Sequence, residues 1–441
     1  MPMPKVQLIT MGCSKNRVDS EHLLRQIAAA GWSISPEGEP LSAGIDTVLI
    51  NTCGFIGDAK EESIEMILQA AQAKKEGLIR RLFVFGCLSQ RYAAELPGLL
   101  PEVDGFFGAA DHAAILAALG LPNREELKTR RHLTTPSHYA YLKIAEGCDR
   151  RCSYCAIPLI RGPHVSVPME QLVDEASALA EGGVKELIVI AQDTTYYGLD
   201  LYGRRTLAPL LEKLAAIRGI EWIRLHYSYP DGFPEEVLDL MAAEPKLCKY
   251  LDIPLQHIAD PVLGAMRRSI DGRQTRALIE KIRRRVPGVV LRTTLMVGHP
   301  GETEAAFAEL LEFVKEARFE RLGAFRYSEE EGTWGAAHLK DEVPPEVKQE
   351  RYDRLMEVQS GISAAFNASR IGTAARVLFD SAADGVLVGR SQWESPEVDG
   401  EILVSEESFR AKGLQSSQII GTFAECKITA AGEYDLLGEP L

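Results

Sequence analysis

The sequence predicts a multidomain α/β protein in three parts: an N-terminal parallel α/β sheet domain, a central open (β/α) barrel of six units, and a small antiparallel β-barrel at the C-terminus. Three observations predict it. At 441 residues the chain is too long for one hydrophobic core and fits about three domains. Short apolar, β-branched runs alternate with helix-periodic stretches to about residue 330, as parallel strands joined by helical crossovers do. After about residue 370 the helical periodicity is lost, and short strands follow one another between Gly, Asp and Ser turns.

In the first part, residues 1–125, the candidate strands are "VQLITMGC" (6–13), "DTVLINTC" (46–53) and "RLFVFGC" (81–87). Between the last two, Ile64, Ile67, Leu68 and Ala71 recur at helical spacing, and Gly77 supplies a stop. A basic, Pro-containing passage, "LPNREELKTRRHLTTPSH", reads as the linker to the second part.

The second part, residues 135–370, holds the candidate strands "AYLKIAEG", "ELIVIAQD", "WIRLHYSY", "YLDIPLQH", "VVLRTTLMVG" and "RLGAFRYS". Helical stretches such as "MEQLVDEASALAEGG" and "TEAAFAELLEFVKEA" lie between them, and a charged, helix-prone segment from Pro344 to about Ser369 ends the region. Six β units fall two short of a closed eightfold barrel, which leaves a side opening suited to a large substrate. In the third part, residues 371–441, the strand candidates are "AARVLFD", "GVLVGRS", "GEILVSEE" and "GTFAECKITAAGEYDLL".

Composition, at 46% hydrophobic and 25% charged, is that of a soluble globular protein. The N-terminal apolar run is too short for the core of a signal peptide and far too short to span a bilayer, so the expectation is a cytoplasmic protein with no membrane partner. In that reducing compartment eight cysteines read as metal ligands or catalytic groups before disulfides. The formal net charge of -14 disfavours a simple phosphate-binding surface and favours a basic partner. Residues 371–441 carry twelve Asp and Glu against five Lys and Arg, a net -7, so RNA contact through the C-terminal domain is not expected.

Six of the eight cysteines fall into two sets of three. Cys148, Cys152 and Cys155, in "GCDRRCSYC", follow the first strand of the second part, at the strand end where parallel α/β proteins place their sites. Three thiolates in a C-x3-C-x2-C loop can hold three irons of a 4Fe-4S cluster and leave the fourth open. A zinc site completed by His164 is the alternative. Cys13, Cys53 and Cys87 are far apart in sequence, yet each follows one of the three N-terminal strands, so parallel neighbours would bring the three sulfurs to one sheet edge. Three small buried hydrophobes are the bland reading of that set, and of Cys248 and Cys426, one before a strand and one inside the β-tail. His226 and His257 sit at barrel-strand ends, facing either pocket or core.

C-x3-C-x2-C with Tyr154 before the last cysteine resembles the signature of the radical S-adenosylmethionine (SAM) superfamily. With the second cysteine set, "GCSKNRVDSE", "QHIADPVLGAMRR" and "VGHPGETE", the chain over nearly its whole length resembles the methylthiotransferases, whose parts are a Cys-bearing N-terminal domain, a radical SAM barrel and a C-terminal TRAM-type β-domain. The resemblance implies a transferase with two 4Fe-4S clusters, one on Cys13, Cys53 and Cys87 and one on Cys148, Cys152 and Cys155, together with SAM. It implies that Tyr154 lies beside the adenine, that Gln192 and Asp193 are near the methionine moiety, and that "VGHPGE" (297–302), with Gly298 and Glu302, turns close to the nucleoside. Gln192 departs from the Gly-Gly-Glu of many superfamily members.

Of the family's two main bacterial branches, "GCSKN", "DTTYYGLDLYG" and "SEEEGTWGA" resemble the one that modifies the β-carbon of an aspartate in small-subunit ribosomal protein S-twelve. That protein, free or on the small subunit, would be the substrate, with an electron donor and a sulfur donor as further partners. The basic stretch "MRRSIDGRQTRALIEKIRRR" (266–285) leaves open the other branch, which acts on isopentenyladenosine in transfer RNA. A non-catalytic iron-sulfur electron carrier is a third reading, and a zinc-dependent RNA-binding protein a fourth.

Overall fold

Continuous apolar runs make strands that are buried on both faces, and the N-terminal sheet consists of such runs. The computed structural model describes residues 3–42 and 44–441. Strands β1 (Lys5–Thr10), β2 (Ser33–Ser35), β3 (Ile45–Thr52), β4 (Ile79–Gly86) and β5 (Gly105–Phe106) form a parallel sheet in the order β2-β1-β3-β4-β5. The two edge strands, of three and two residues, are too short to stand out in the sequence. Helix α1 (Ser14–Ala29) packs Leu23, Leu24 and Ile27 on one face with Val6, Leu8 and Leu49, and α2 (Gly57–Lys75) packs Ile67, Ala70 and Ala71 on the other with Val48, Ile50 and Val84. Strand order reverses between β1 and β3, the switch point beside which open α/β sheets bind ligands.

The central sheet is six parallel strands in sequence order: β6 (Tyr139–Lys143), β9 (Glu186–Ile190), β10 (Trp222–Leu225), β11 (Leu247–Asp252), β12 (Val290–Val297) and β13 (Arg321–Arg326). A two-stranded hairpin, β7 (Ala145–Glu146) with β8 (Val165–Ser166), stands at the end of β6. Alternation along the strands sends Leu142, Val189, Leu225, Leu251 and Leu291 outward into the shell of helices. The opposite face carries Glu186, Arg224, Tyr250, Arg292 and Arg321. Charges in such a place require partners.

The third part supplies them. Strands β14 (Ala374–Ala383), β15 (Val386–Arg390), β16 (Ile402–Ser405), β17 (Phe423–Ala431) and β18 (Leu436–Pro440) close a five-stranded barrel in the order β14-β15-β16-β18-β17. Four neighbouring pairs are antiparallel, and β16 with β18 is parallel. An odd number of strands cannot alternate direction all the way round a ring, so one parallel pair is unavoidable. Two short helices, Glu406–Arg410 and Ser416–Ile419, interrupt what reads as a strand-only tail.

The segment between β15 and β16 fills the inner face of the central barrel. Arg390 pairs with Glu186 (2.8 Å), Arg224 donates to the Gln392 carbonyl (2.8 Å), Arg321 pairs with Glu394 (3.0 Å), and the Tyr250 hydroxyl donates to Asp399 (2.7 Å). Glu394 also holds Arg370. The gap between β6 and β13 is flanked as well, by Val18 of α1 against Tyr139 and Tyr141, and by the helix Pro345–Ser369 against β13. The open side expected from six units is thus bordered by α1 on one flank and by the helix Pro345–Ser369 on the other.

The expected linker is pinned. The buried Arg131 guanidinium is held between Glu21 and Glu175, and Thr134 N–H donates to Glu21 (2.8 Å). Cys248 lies inside β11 rather than before a strand, packed with Trp222 and Tyr250. Among the described residues no helix is long and apolar enough to cross a membrane.

Candidate active site

Register brings the N-terminal cysteines level. Thr10 pairs with Asn51 and Asn51 with Phe85, so the turns bearing Cys13, Cys53 and Cys87 leave adjacent strands at the same edge. Two glycines allow the turns to touch. Gly12, at φ 91°, has no room for a Cβ, which would lie 2.8 Å from that of Cys53; a Cβ on Gly54 would lie 2.7 Å from the backbone of Leu88. Asn16 ties the turns together, donating to the carbonyls of Met11 (3.0 Å) and Thr52 (3.1 Å).

The second set sits in a loop closed at its base by the β7–β8 hairpin, where Ala145 pairs with Ser166 and Glu146 with Val165. Within it Cys148 N–H donates to the Gly162 carbonyl (3.1 Å), and Ser153 N–H to the Met266 carbonyl (3.0 Å). The two sets meet. Cys87 packs on Ala156 and Ile160, immediately beyond Cys155, and the helix Ile157–Arg161 lies against α3 (Cys87–Arg91).

Arg161 spans the seam. Its Nε donates to the Cys87 sulfur (3.2 Å), Nη1 to Asp19 (2.8 Å) and Glu146 (3.1 Å), and Nη2 to Asn16 (2.5 Å). Lys143 joins the same two carboxylates. On the other side, Arg268 reaches the Tyr154 hydroxyl (3.4 Å) and the Pro254 carbonyl (2.7 Å), and lies 4.0 Å from the Cys152 sulfur. The Tyr229 ring has the guanidinium of Arg150 at 3.8 Å and that of Arg268 at 4.3 Å.

Burial pushes the thiols up: Cys87 and Cys148 to about 11 and Cys155 to about 12, with Cys53 also raised. Converging thiols also raise one another, and the arginines offset this only in part. Such sites become thiolate when a soft, positively charged group enters, which is the chemistry of iron-sulfur ligation. The residues therefore fit a cluster. Among the described residues no three His, Cys, Asp or Glu side chains converge on the shell of a single ion; a cluster instead takes each thiolate on a separate iron. His164 is engaged elsewhere, its Nε2 on the Ser166 hydroxyl (3.1 Å) and its ring against Tyr196.

A cavity of about 900 Å³ opens beside Tyr154, lined by Gln256, Thr294, Met296 and Tyr327 of the barrel and by Phe55 and Ile56, which follow Cys53. It lies where the two cysteine-bearing parts face each other.

Three family models match the chain. Residues 5–108 match the uncharacterized protein family UPF0004, residues 142–314 the radical SAM superfamily and residues 371–441 the TRAM domain. A ribosomal protein uS12 methylthiotransferase RimO of Bacteroides fragilis is 52% identical over 439 residues, covering 100% of both chains, and one of Parabacteroides distasonis is 52% identical over 437 residues, covering 99% of both. The chain belongs to the uS12 methylthiotransferase family. Among solved structures, the radical SAM methyltransferase TsrM of Kitasatospora setae superposes with a TM-score of 0.52 at 15% identity, over 74% of this chain and 75% of that one. The cobalamin-dependent radical SAM enzyme OxsB gives 0.52 at 12% identity, over 82% and 56%. These two likenesses concern the fold alone.

As a methylthiotransferase of the radical SAM superfamily the chain is a transferase that uses a 4Fe-4S cluster and SAM. The residues expected near SAM are placed unequally. Tyr154 lines the cavity and packs with Ala259, Met266 and Met296. Gln192 donates to Glu146 (2.9 Å), and its buried carbonyl oxygen has no partner. Asp193 is engaged within the protein, one oxygen on Thr195 N–H (2.9 Å) and the other on Arg150 (2.9 Å). Gly298, at φ 74°, donates its N–H to Glu302 (3.0 Å). Glu302 is enclosed, meeting Arg351 (2.7 Å) and His257 Nε2 (3.2 Å) besides, so it braces the Gly-rich turn and His257 faces that brace. His226 faces the core, with Nε2 on Ser395 (2.9 Å).

Arg161, Glu146 and Tyr229 were not expected at the site; Asp19 lies within "GCSKNRVDSE", but no role was read for it. Arg268 lies within "QHIADPVLGAMRR". Of the other cations in the 266–285 stretch, four pair along the outer wall: Arg276 with Glu316, Lys281 with Glu235 (2.5 Å), Arg283 with Glu320 (2.8 Å) and Arg285 with Glu235 (2.6 Å).

Proposed function

We propose that this chain transfers a methylthio group to the β-carbon of an aspartate of ribosomal protein uS12, using two three-thiolate 4Fe-4S sites that face one cavity. The observation that carries this reading is the packing of Cys87 on the residues just beyond Cys155. When bound, the barrel cluster with SAM supplies the radical that removes hydrogen, and the N-terminal cluster supplies the sulfur that replaces it. Cys148, Cys152 and Cys155 would hold the first and Cys13, Cys53 and Cys87 the second.

The chain's own residues aim and protect. Tyr154 would lie along the adenine, with the Gly298 turn close to the nucleoside. Gln192, with its unpaired oxygen, and Asp193 would stand near the methionine end, and Glu302 holds the turn. Tyr229 between its two arginines covers Cys152. The acidic C-terminal domain favours a Lys- and Arg-rich protein over RNA, and ion pairs of Arg276, Lys281, Arg283 and Arg285 with carboxylates lessen the positive charge that the 266–285 stretch could offer a transfer RNA. An electron donor and a sulfur donor complete the partner set.

The test is anaerobic reconstitution with iron and sulfide counting. Cys152→Ala is expected to abolish SAM cleavage, whereas Cys53→Ala leaves cleavage possible and blocks sulfur transfer. Mass spectrometry of uS12 and of tRNA digests from cells lacking the gene separates the substrates. A methylthio group lost from tRNA alone, or the same single cluster lost in both variants, overturns the reading.

A further inference from the structure

Lys15 lies two residues beyond Cys13, in the first turn of α1, and only 7% of it is exposed. Its Nζ sits over the ring of Tyr227, 2.8 Å from the centroid, and among the described residues it has no hydrogen bond or ion pair. The other cations of the seam are matched: Lys143 and Arg161 by Asp19 and Glu146, and Arg17 by Glu37 and Glu397. The carboxylates are spent as well. Asp252, which faces Tyr227, accepts from the Tyr227 N–H (3.0 Å) and from Arg292 (3.0 Å).

A second observation falls at the same place. Tyr227 has φ 57°, a left-handed conformation that a bulky side chain adopts only when its surroundings impose it. Here Asp252 holds its N–H, and its carbonyl accepts from Thr194 N–H (3.1 Å). Tyr227 follows the carboxyl end of β10, on the mouth side of the barrel. The fold thus holds an ammonium that no carboxylate of the chain pairs over an aromatic in the left-handed region, between the Cys13 turn and the barrel mouth. An ammonium held over an aromatic face, with no carboxylate of the chain paired to it, can receive an anion.

We propose that Lys15 is the receptor for the carboxylate of the substrate aspartate. This rests on the reading that an aspartate side chain is the acceptor. The reacting β-carbon is one bond from the carboxylate carbon, so an ammonium that grips the carboxylate beside Cys13 sets the β-carbon on the sulfur side of the seam. It also gives a basis for selection, because an amide or a nucleoside brings no charge to compensate Lys15.

The test uses the full chain, reconstituted anaerobically, with purified uS12 carrying Asp or Asn at the acceptor position. By equilibrium binding at fixed ionic strength, the wild type is expected to prefer Asp by about tenfold or more. Lys15→Met is expected to bind both forms alike, at the wild-type Asn level, and Lys15→Arg to recover part of the preference. Ligand-free Lys15→Met is also expected to melt at or above the wild type, because an apolar isostere replaces an unpaired buried charge. A Lys15→Met protein that still prefers Asp, or that melts lower with unchanged binding, identifies a packing lysine and overturns the proposal. If the wild type itself shows no preference and leaves uS12 unmodified, the substrate reading has failed instead.

Discussion

Glu302 accepts hydrogen bonds from Arg351 and Gly298 N–H and meets His257 in a pocket closed to solvent. Replacing it with Gln leaves the buried Arg351 with only the more distant, exposed Glu304 carboxylate (3.6 Å), so Glu302→Gln is expected to cost about 2–3 kcal/mol of stability, measurable by anaerobic denaturant titration. Histidines give the molecule its acid sensitivity. Burial holds His22 and His226 down at about 3 and His299 at about 4, against an ordinary 6.5. The unfolded chain therefore binds protons that the folded one refuses, so stability is complete above about pH 6.5 and falls as the pH drops toward 4. Denaturant midpoints measured across that range should show the fall, and His226→Gln should flatten it. The strand-end placement of Cys13, Cys53 and Cys87 was legible in the sequence, because each closely follows an apolar run. Arg161 was not, because its partners Asp19 and Asn16 lie 142 and 145 residues away, and one sequence keeps no record of such pairing.

At the level of elements, the N-terminal site depends on strand ends that lock through glycine. In Gly54→Ala the new methyl would meet the Leu88 backbone at 2.7 Å, which cannot swing aside as a side chain can. On the proposed two-cluster reading, that variant is expected to lose the N-terminal cluster, about half the iron, while still forming 5'-deoxyadenosine; iron counting and product assay check the two halves. The signal was present in "MGC", "TCG" and "FGC", a glycine beside every thiol, but it acquires meaning only once β1, β3 and β4 are neighbours. The long strands were readable from their apolar runs. Strands of two or three residues, such as β2 and β5, carry too little pattern to be seen, and their place is set by the sheet they join.

For the whole molecule, the three-part organisation followed from periodicity, but the way the parts interlock did not. The charged face of the barrel strands looks like solvated surface in sequence; in the fold it is the socket for residues 390–399. Glu394→Ala would strand Arg321 and Arg370 together, with an expected loss of about 3–5 kcal/mol and a lower melting temperature. A chain ending at residue 370 is expected to lack a cooperative melting transition, since Glu186, Arg224 and Arg321 would all lose partners; calorimetry of the truncated protein tests it. The order of synthesis adds a consequence. The plug emerges from the ribosome after every strand it completes, so a nascent barrel must wait, ionised and half-built, until translation is nearly finished. Folding of this enzyme is therefore expected to be largely post-translational, with chaperone demand concentrated in the interval before its last fifty residues appear.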